Sequence, residues 1–406
     1  MKILHTADWH LGDRLGRIDR TNDLQRAVER IGYYCTAEKI DVLLIAGDLF
    51  SELSRADGLR QSIRHFQEVF FDFLIGGGTI VALTGNHDNE NFCQTLHHAM
   101  TLASPTLHRS GVVVPRGAFY LATHPTFFRL PDRTGQEVQF VLMPYPTPAR
   151  YLDEQGQRYS NLAEKNQALQ ASYAEKLQAM LADPDWNATL PTILSAHIHV
   201  RGATLPNLFR ISEAESMIFS TDNLPNNVAY MALGHIHQPQ AIGAPHIRYS
   251  GSIERLDLGE RNDRKGVVVF EVGPEGRRGD IQELQLEATP MYDVDITRPQ
   301  EELPLLRERY PDADRALVRY HLKYRAGVDN LEELLRQLDD IFPRWYEREW
   351  REAGELGPAL SEAGGLSPLK GVRETVREYL AVELADHEDR EEITRLAEEL
   401  LAEEDA

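Results

Sequence analysis

Asp8 and His10 stand two apart directly after an apolar run in "MKILHTADWH". Neither residue alone specifies chemistry, because a lone D-x-H is most often surface polarity or core hydrogen bonding. The pattern recurs, however. "DVLLIAGDLF" ends in Asp48, "TIVALTGNHD" in Asn86, His87 and Asp88, "PTILSAHIHV" in His197, and "VAYMALGHIHQ" in His235 and His237. Carboxylate, amide and imidazole donors without a thiolate suit manganese, iron or zinc held for catalysis rather than a structural thiolate site. Asp8, His10, Asp48, Asn86, His197, His235 and His237 suffice for two divalent ions. Such a pair clamps a phosphoryl group, acidifies an attacking water and neutralises the leaving oxygen. Asp48 is the candidate bridge between the ions. It stands alone at its run's end, and Gly47 before it lets the backbone approach closely.

His87 lies between a candidate ligand and a carboxylate. That placement suits acid chemistry, with ligation as the alternative. His199 shares a side of an extended strand with His197 and exceeds what two ions need, so it is read as supporting or structural. The remaining histidines, His5, His65, His97, His98, His108 and His124 among them, carry no motif and are read as structural.

These residues are far apart in the chain, so the fold must gather them. Up to residue 270, short apolar runs alternate with helical patterns, the rhythm of a layered α/β domain. A helix is expected from Leu24 to Lys39, capped by Thr21 or Asn22. Leu59, Ile63, Phe66, Phe70 and Phe73 mark a second, stopped by Gly76-Gly77-Gly78, and Asn161 to Ala182 forms a third. Strands whose carboxyl ends share one edge bring their terminal residues together.

Beyond about residue 285 the pattern changes. "MYDVDIT" and "RALVRYHLKYRAG" read as strands, with a helix between them and another at Leu331–Ile341, forming a small α+β unit. Residues 344–368 are weakly patterned and read as a linker or a helix that needs a partner. Apolar stripes at Val372, Val376, Tyr379 and Leu380, and at Ile393, Leu396 and Leu400, then mark acidic C-terminal helices. The expected organisation is a catalytic domain over 1–285, an α+β domain over 286–345, and linker plus helices over 346–406.

The 406 residues are 42% hydrophobic and 26% charged, the composition of a globular protein with a large core. No apolar stretch reaches the roughly 20 residues of a membrane helix, no basic-then-apolar leader precedes the first strand, and Cys35 and Cys93 form neither a disulfide framework nor a zinc pattern. A cytoplasmic location is expected. The net charge of −21 excludes gripping nucleic acid by overall charge, so action on phosphates must run through metal, a local basic patch or a partner. Much of the excess is local, with 13 acidic residues against 4 arginines in residues 371–406.

The order D-x-H, GD, GNHD, H and GHxH resembles the calcineurin-like metallophosphoesterases. "HTADWHLGDRLGR", "YSGSIERLDLGE" and "KGVVVFEV" are similar to the SbcD nuclease subunits, bacterial relatives of the Mre-type repair nucleases. The resemblance implies a layered metallophosphoesterase β-sandwich flanked by helices, then a small α+β capping domain that positions DNA, and C-terminal helices. It implies one ion on Asp8, His10, Asp48 and His237, and another on Asp48, Asn86, His197 and His235, with manganese as the metal. His87 would face the scissile phosphate, with Asp88 orienting its imidazole. The implied activity is double-strand exonuclease and single-strand or hairpin endonuclease, in a homodimer partnered by an SbcC-type coiled-coil ATPase. Two departures stand out. Some Mre-type relatives carry a histidine where this chain has Ser51, and the His197-x-His199 pair is not the usual form.

Arginines follow two of the motifs: Arg14, Arg17 and Arg20 after the first, and Arg255, Arg261 and Arg264 after SGSIE. They are candidate DNA-phosphate contacts. The competing reading pairs them with Asp13, Asp19, Asp257 and Glu260. A small-molecule phosphodiesterase or phosphoprotein phosphatase on the same fold, and a non-catalytic scaffold for the ATPase, are the rival functions.

Overall fold

The apolar runs form the two sheets of a sandwich. The computed structural model describes residues 1–353 and 360–363, apart from positions 53, 55, 104–110, 153–158, 160, 206–216, 221–223 and 226. The first sheet carries Lys2–Thr6, Val42–Ala46, Thr79–Leu83 and Phe119–Ala122 as parallel neighbours, with Gly266–Gly273 and Gly276–Gln285 added antiparallel beside the first strand. The second sheet centres on Thr192–His197 and Tyr230–Gly234, which run parallel with Ile193 opposite Tyr230.

Strict alternation along these strands builds the layers. Ile3, Val42, Leu44, Tyr230 and Ala232 fill the space between the sheets. Leu4, Leu43 and Ile45 face the opposite way, onto helices Thr21–Ala37 and Ala56–Ile75. Leu194 and Met231 likewise face outward, onto helix Leu162–Leu181 through Leu169, Tyr173 and Leu177. The result is a helix–sheet–sheet–helix stack buried on both faces of each sheet, which explains why the strands read as continuous apolar runs. His5 points between the sheets, where its Nδ1 lies 3.1 Å from the Tyr230 hydroxyl.

The first helix starts at Thr21 without a side-chain cap from its N-cap residue, Arg20. Neither Thr21 nor Asn22 caps it. Asp19 instead accepts the Thr21 N–H at 2.8 Å, because the hairpin of Arg14–Leu15 and Ile18–Asp19 carries that carboxylate over the first turn.

Past residue 290, Met291–Ile296, Leu317–Tyr324, Trp345–Glu352 and Leu360–Ala363 form a four-stranded sheet. Its own core includes Val294, Tyr320, Leu338 and Phe342, with helix Leu331–Ile341 on one face. The linker expected from residue 346 is therefore a strand in part. "WYEREWRE" hides this because its polar residues pair across the sheet, as Glu349 does with His321 in register, at 3.0 Å. The C-terminal stripes lie outside the described residues.

Candidate metal centre

Each candidate ligand sits at or just past the carboxyl end of a parallel strand, and the backbone turns sharply at several of them. Among the described non-glycine residues, positive φ occurs at Asp8 (53°), His10 (45°), Lys39, Asp48 (51°) and His235 (95°). Four of those five are candidate ligands. Backbone strain of this kind persists only where its surroundings enforce it. At the first turn the enforcement is visible: Trp9, between Asp8 and His10, is fully buried against Phe66 and Phe70, and its indole N–H donates to Thr6 Oγ1 at 3.0 Å. Buried Ile236 does the same between His235 and His237.

The turns are tied to one another. Trp9 and His10 donate their backbone N–H groups to the Asp48 carbonyl at 2.8 and 3.0 Å. The Asp8 carboxylate accepts the His235 N–H at 3.0 Å, and Asp48 Oδ1 accepts the His87 N–H at 2.8 Å. Close approach requires glycine: a Cβ at Gly47, where φ is +98°, would lie 2.0 Å from His197 Nδ1, and one at Gly85 would lie 2.1 Å from Asp48 Oδ1.

The side chains converge. Donor atoms of Asp8, His10 and His237 all lie within 4.8 Å of one another, as do those of Asp8, Asp48 and His197. Asp48 Oδ2 sits between His197 Nε2 at 3.1 Å and His10 Nε2 at 3.6 Å. The Asn86 amide oxygen lies 3.0 Å from His197 Nε2 and 2.9 Å from His235 Nδ1. Asp8, His10, Asp48, His197, His235 and His237 are buried, and Asn86 is half-buried.

The electrostatics are those of desolvated carboxylates sharing a small volume. Burial, opposed by His197 and His237, pushes Asp8 up to about 6. For Asp48 the cost of burial is outweighed by His197, His87 and His10, which hold it well below the usual carboxylate range. Burial pulls His197 down, but Asp48 beside it wins and lifts it to about 8. His235 is held well below its ordinary value, by burial and then by His197. The residues fit a divalent pair: the donors are oxygen and imidazole nitrogen, buried negative charge needs compensation, and the buried His235 Nε2 has no hydrogen-bond partner among the described residues.

His87 is buried, its ring centroid 5.0 Å from that of His10 and its Nδ1 3.3 Å from Glu52 Oε1. Among the described residues, the hydrogen bonds of Asp88 run to backbone rather than to that ring. Its carboxylate accepts the backbone N–H groups of Phe50 (2.8 Å), Gly85 (2.8 Å) and Leu49 (3.3 Å). A buried carboxylate facing three N–H donors is a brace between two ligand turns. His199 is buried on the short strand His199–Val200, and Ser51 donates to Asp13 Oδ1 at 3.1 Å.

The arginines divide. Arg20 is fully buried, paired with Asp23 at 2.7 Å and Glu254 at 3.7 Å, so it is not a DNA contact. Arg255 donates to the carbonyls of Thr289 and Asp263, at 2.9 and 3.0 Å, and is likewise committed inside the protein. Arg17 donates to the Trp345 and Pro343 carbonyls and lies 4.0 Å over the Trp345 ring. Arg14 is exposed and, among the described residues, makes a long 3.6 Å contact to Asp19 and a bond to the Arg17 carbonyl.

Two residues that no sequence motif marks as functional, Glu260 and Lys265, also reach the centre. Glu260 Oε1 lies 2.8 Å from His237 Nδ1, and Lys265 Nζ reaches the His237 carbonyl at 3.0 Å. They fall within "YSGSIERLDLGE" and "KGVVVFEV", but nothing in their spacing ties them to a histidine 23 residues before Glu260.

The calcineurin-like phosphoesterase family model matches residues 1–239. The chain is 27% identical over 293 residues to the SbcD component of the SbcCD nuclease of Bacillus subtilis, covering 71% of this chain and 70% of that one. It is 30% identical over 292 residues to the same component from Rhodobacter capsulatus, covering 67% and 66%. Against its Escherichia coli K12 counterpart it is 28% identical over 308 residues, covering 74% and 70%.

Proposed function

The chain belongs to the calcineurin-like phosphoesterases, and on that premise we propose that it is the manganese-dependent nuclease subunit of an SbcC–SbcD-type complex. It hydrolyses DNA phosphodiesters, as an exonuclease at double-stranded ends and an endonuclease on single strands and hairpins, in DNA end processing and repair. The observation that carries this reading is the buried Asp48 carboxylate lying between His10 and His197, where the two donor groups meet. Similarity to SbcD proteins supports DNA as the substrate.

Asp8, His10, Asp48 and His237 would hold one ion; Asp48, Asn86, His197 and His235 would hold the other. When bound, such a pair supplies an acidified water and charge neutralisation at phosphate oxygens. The chain's own groups do the rest. Glu52, beside His87 Nδ1, orients the imidazole, and His87 protonates the departing sugar oxygen. Asp88 keeps the turns carrying Asp48 and Asn86 in register. Exposed Arg14 contacts a DNA phosphate, and the second domain positions the duplex. The segment after residue 363 binds the coiled-coil ATPase, and two copies of the chain form a homodimer.

The test is metal dependence of DNA hydrolysis. Chelated protein should be inactive on end-labelled duplex, recover with manganese, and be stimulated by co-purified ATPase and ATP. Asp48→Ala protein should not recover. Cleavage that persists in chelator would overturn the proposal.

A further inference from the structure

His237 is held at both ends by one buried network. Glu260 Oε1 takes its Nδ1 at 2.8 Å, and Lys265 Nζ takes its backbone carbonyl at 3.0 Å. Glu260 and Lys265 are themselves an ion pair, with side chains fully out of solvent. Ser252 closes the ring: its hydroxyl contacts Glu260 Oε2 at 3.0 Å and Lys265 Nζ at 2.8 Å, and its N–H donates to the His237 carbonyl at 3.1 Å. His197 is held differently, with its Nδ1 2.8 Å from the uncharged carbonyl of Ala46.

A buried ion pair is a costly way to stabilise a fold, since apolar residues of similar volume often do as well. A carboxylate on the far nitrogen of an imidazole, by contrast, fixes the ring's tautomer and raises its basicity toward a metal. We propose that Glu260 and Lys265 are positioning residues that lock the His237 imidazole for metal binding, so that the ion held by Asp8, His10 and His237 is bound more tightly than its neighbour. Lys265 has a definite part. It neutralises Glu260, leaving that carboxylate one imidazole to hold and no free charge to bury. The inference rests on His237 being a ligand.

The experiment is manganese binding to the full chain, followed by calorimetry and by the spin-resonance signal of free manganese. Wild-type protein should show two unequal steps. Two variants probe the lock. Glu260→Gln with Lys265→Met removes the ion pair as a unit, and Glu260→Asp keeps the charge but shortens its reach to His237. Each folded variant should lose roughly 10- to 100-fold in the tighter step alone. Wild-type binding in either folded variant, or an equal loss in both steps, would overturn the lock. His237→Ala is the control: if it leaves both steps unchanged, the ligand assignment fails, independently of Glu260.

Discussion

Asp88 follows His87 in the chain, yet its carboxylate accepts the Phe50 backbone N–H at 2.8 Å and leaves the His87 imidazole beside Glu52. Adjacent residues of one motif thus have separable tasks. His87→Ala should keep wild-type stability and metal content and lose about 10²- to 10⁴-fold in turnover. Asp88→Ala leaves three N–H groups without an acceptor, each costing roughly 1–3 kcal/mol when buried. It should lower the denaturant midpoint in chelator before any assay of activity. Equal stability of the two variants would contradict this division.

Gly47 should tolerate no side chain. Alanine there meets a left-handed φ of +98° and a Cβ position 2.0 Å from His197 Nδ1. The backbone conformation alone costs about 1–3 kcal/mol, and His197 must move as well. Gly47→Ala protein should bind manganese more weakly than a control, Gly135→Ala, whose added Cβ meets nothing within 4 Å.

The four-stranded sheet is fastened to the hairpin that follows the first ligand turn and to the helix after it. Trp345 lies between the guanidinium groups of Arg17 and Arg348, at 4.0 and 4.1 Å, and Arg344 pairs with buried Asp23. Arg17→Ala with Arg344→Ala should separate the unfolding of this sheet from that of the sandwich and speed proteolysis between residues 285 and 290. The sandwich's own melting should stay within a few degrees of wild type.

His321 sits between Asp293 at 3.3 Å and Glu349 at 3.0 Å. Its hydrogen bond to Asp293 leads the causes that raise its pKa above 6.5. A raised histidine contributes stability that is complete below its unfolded value and is lost as pH rises through its folded value. The four-stranded sheet should therefore melt at a lower temperature as pH climbs above 6.5 through that higher value. His321→Gln should flatten the profile, as followed by thermal unfolding across pH 6–9.

What the sequence made legible follows from periodicity. A strand buried on both faces is a short apolar run, so its end is visible, and Asp8, Asp48, Asn86, His197 and His235 are found at such ends. The partners of those ends were not legible. Glu260 and Lys265 reach His237 from a loop and a strand start that carry no period. Arg20 and Arg255 read as surface charge in the sequence because the partners of a long side chain depend on tertiary neighbours, here Glu254 and the Thr289 carbonyl. Trp345–Glu352 is not legible as a strand because a cross-strand polar contact such as Glu349 with His321, unlike apolar alternation, leaves no mark in one strand's sequence.

Cleavage of end-labelled linear duplex DNA in manganese tests the central claim most directly. It should be run on wild-type and His87→Ala protein, with and without the ATPase and ATP, beside a small chromogenic phosphodiester. Wild-type protein should cut the duplex, faster with the partner, and His87→Ala protein should bind the metal and cut the duplex about 10²- to 10⁴-fold more slowly. Turnover of the small diester with intact DNA in every mixture would contradict the nuclease assignment and leave only the metal centre standing.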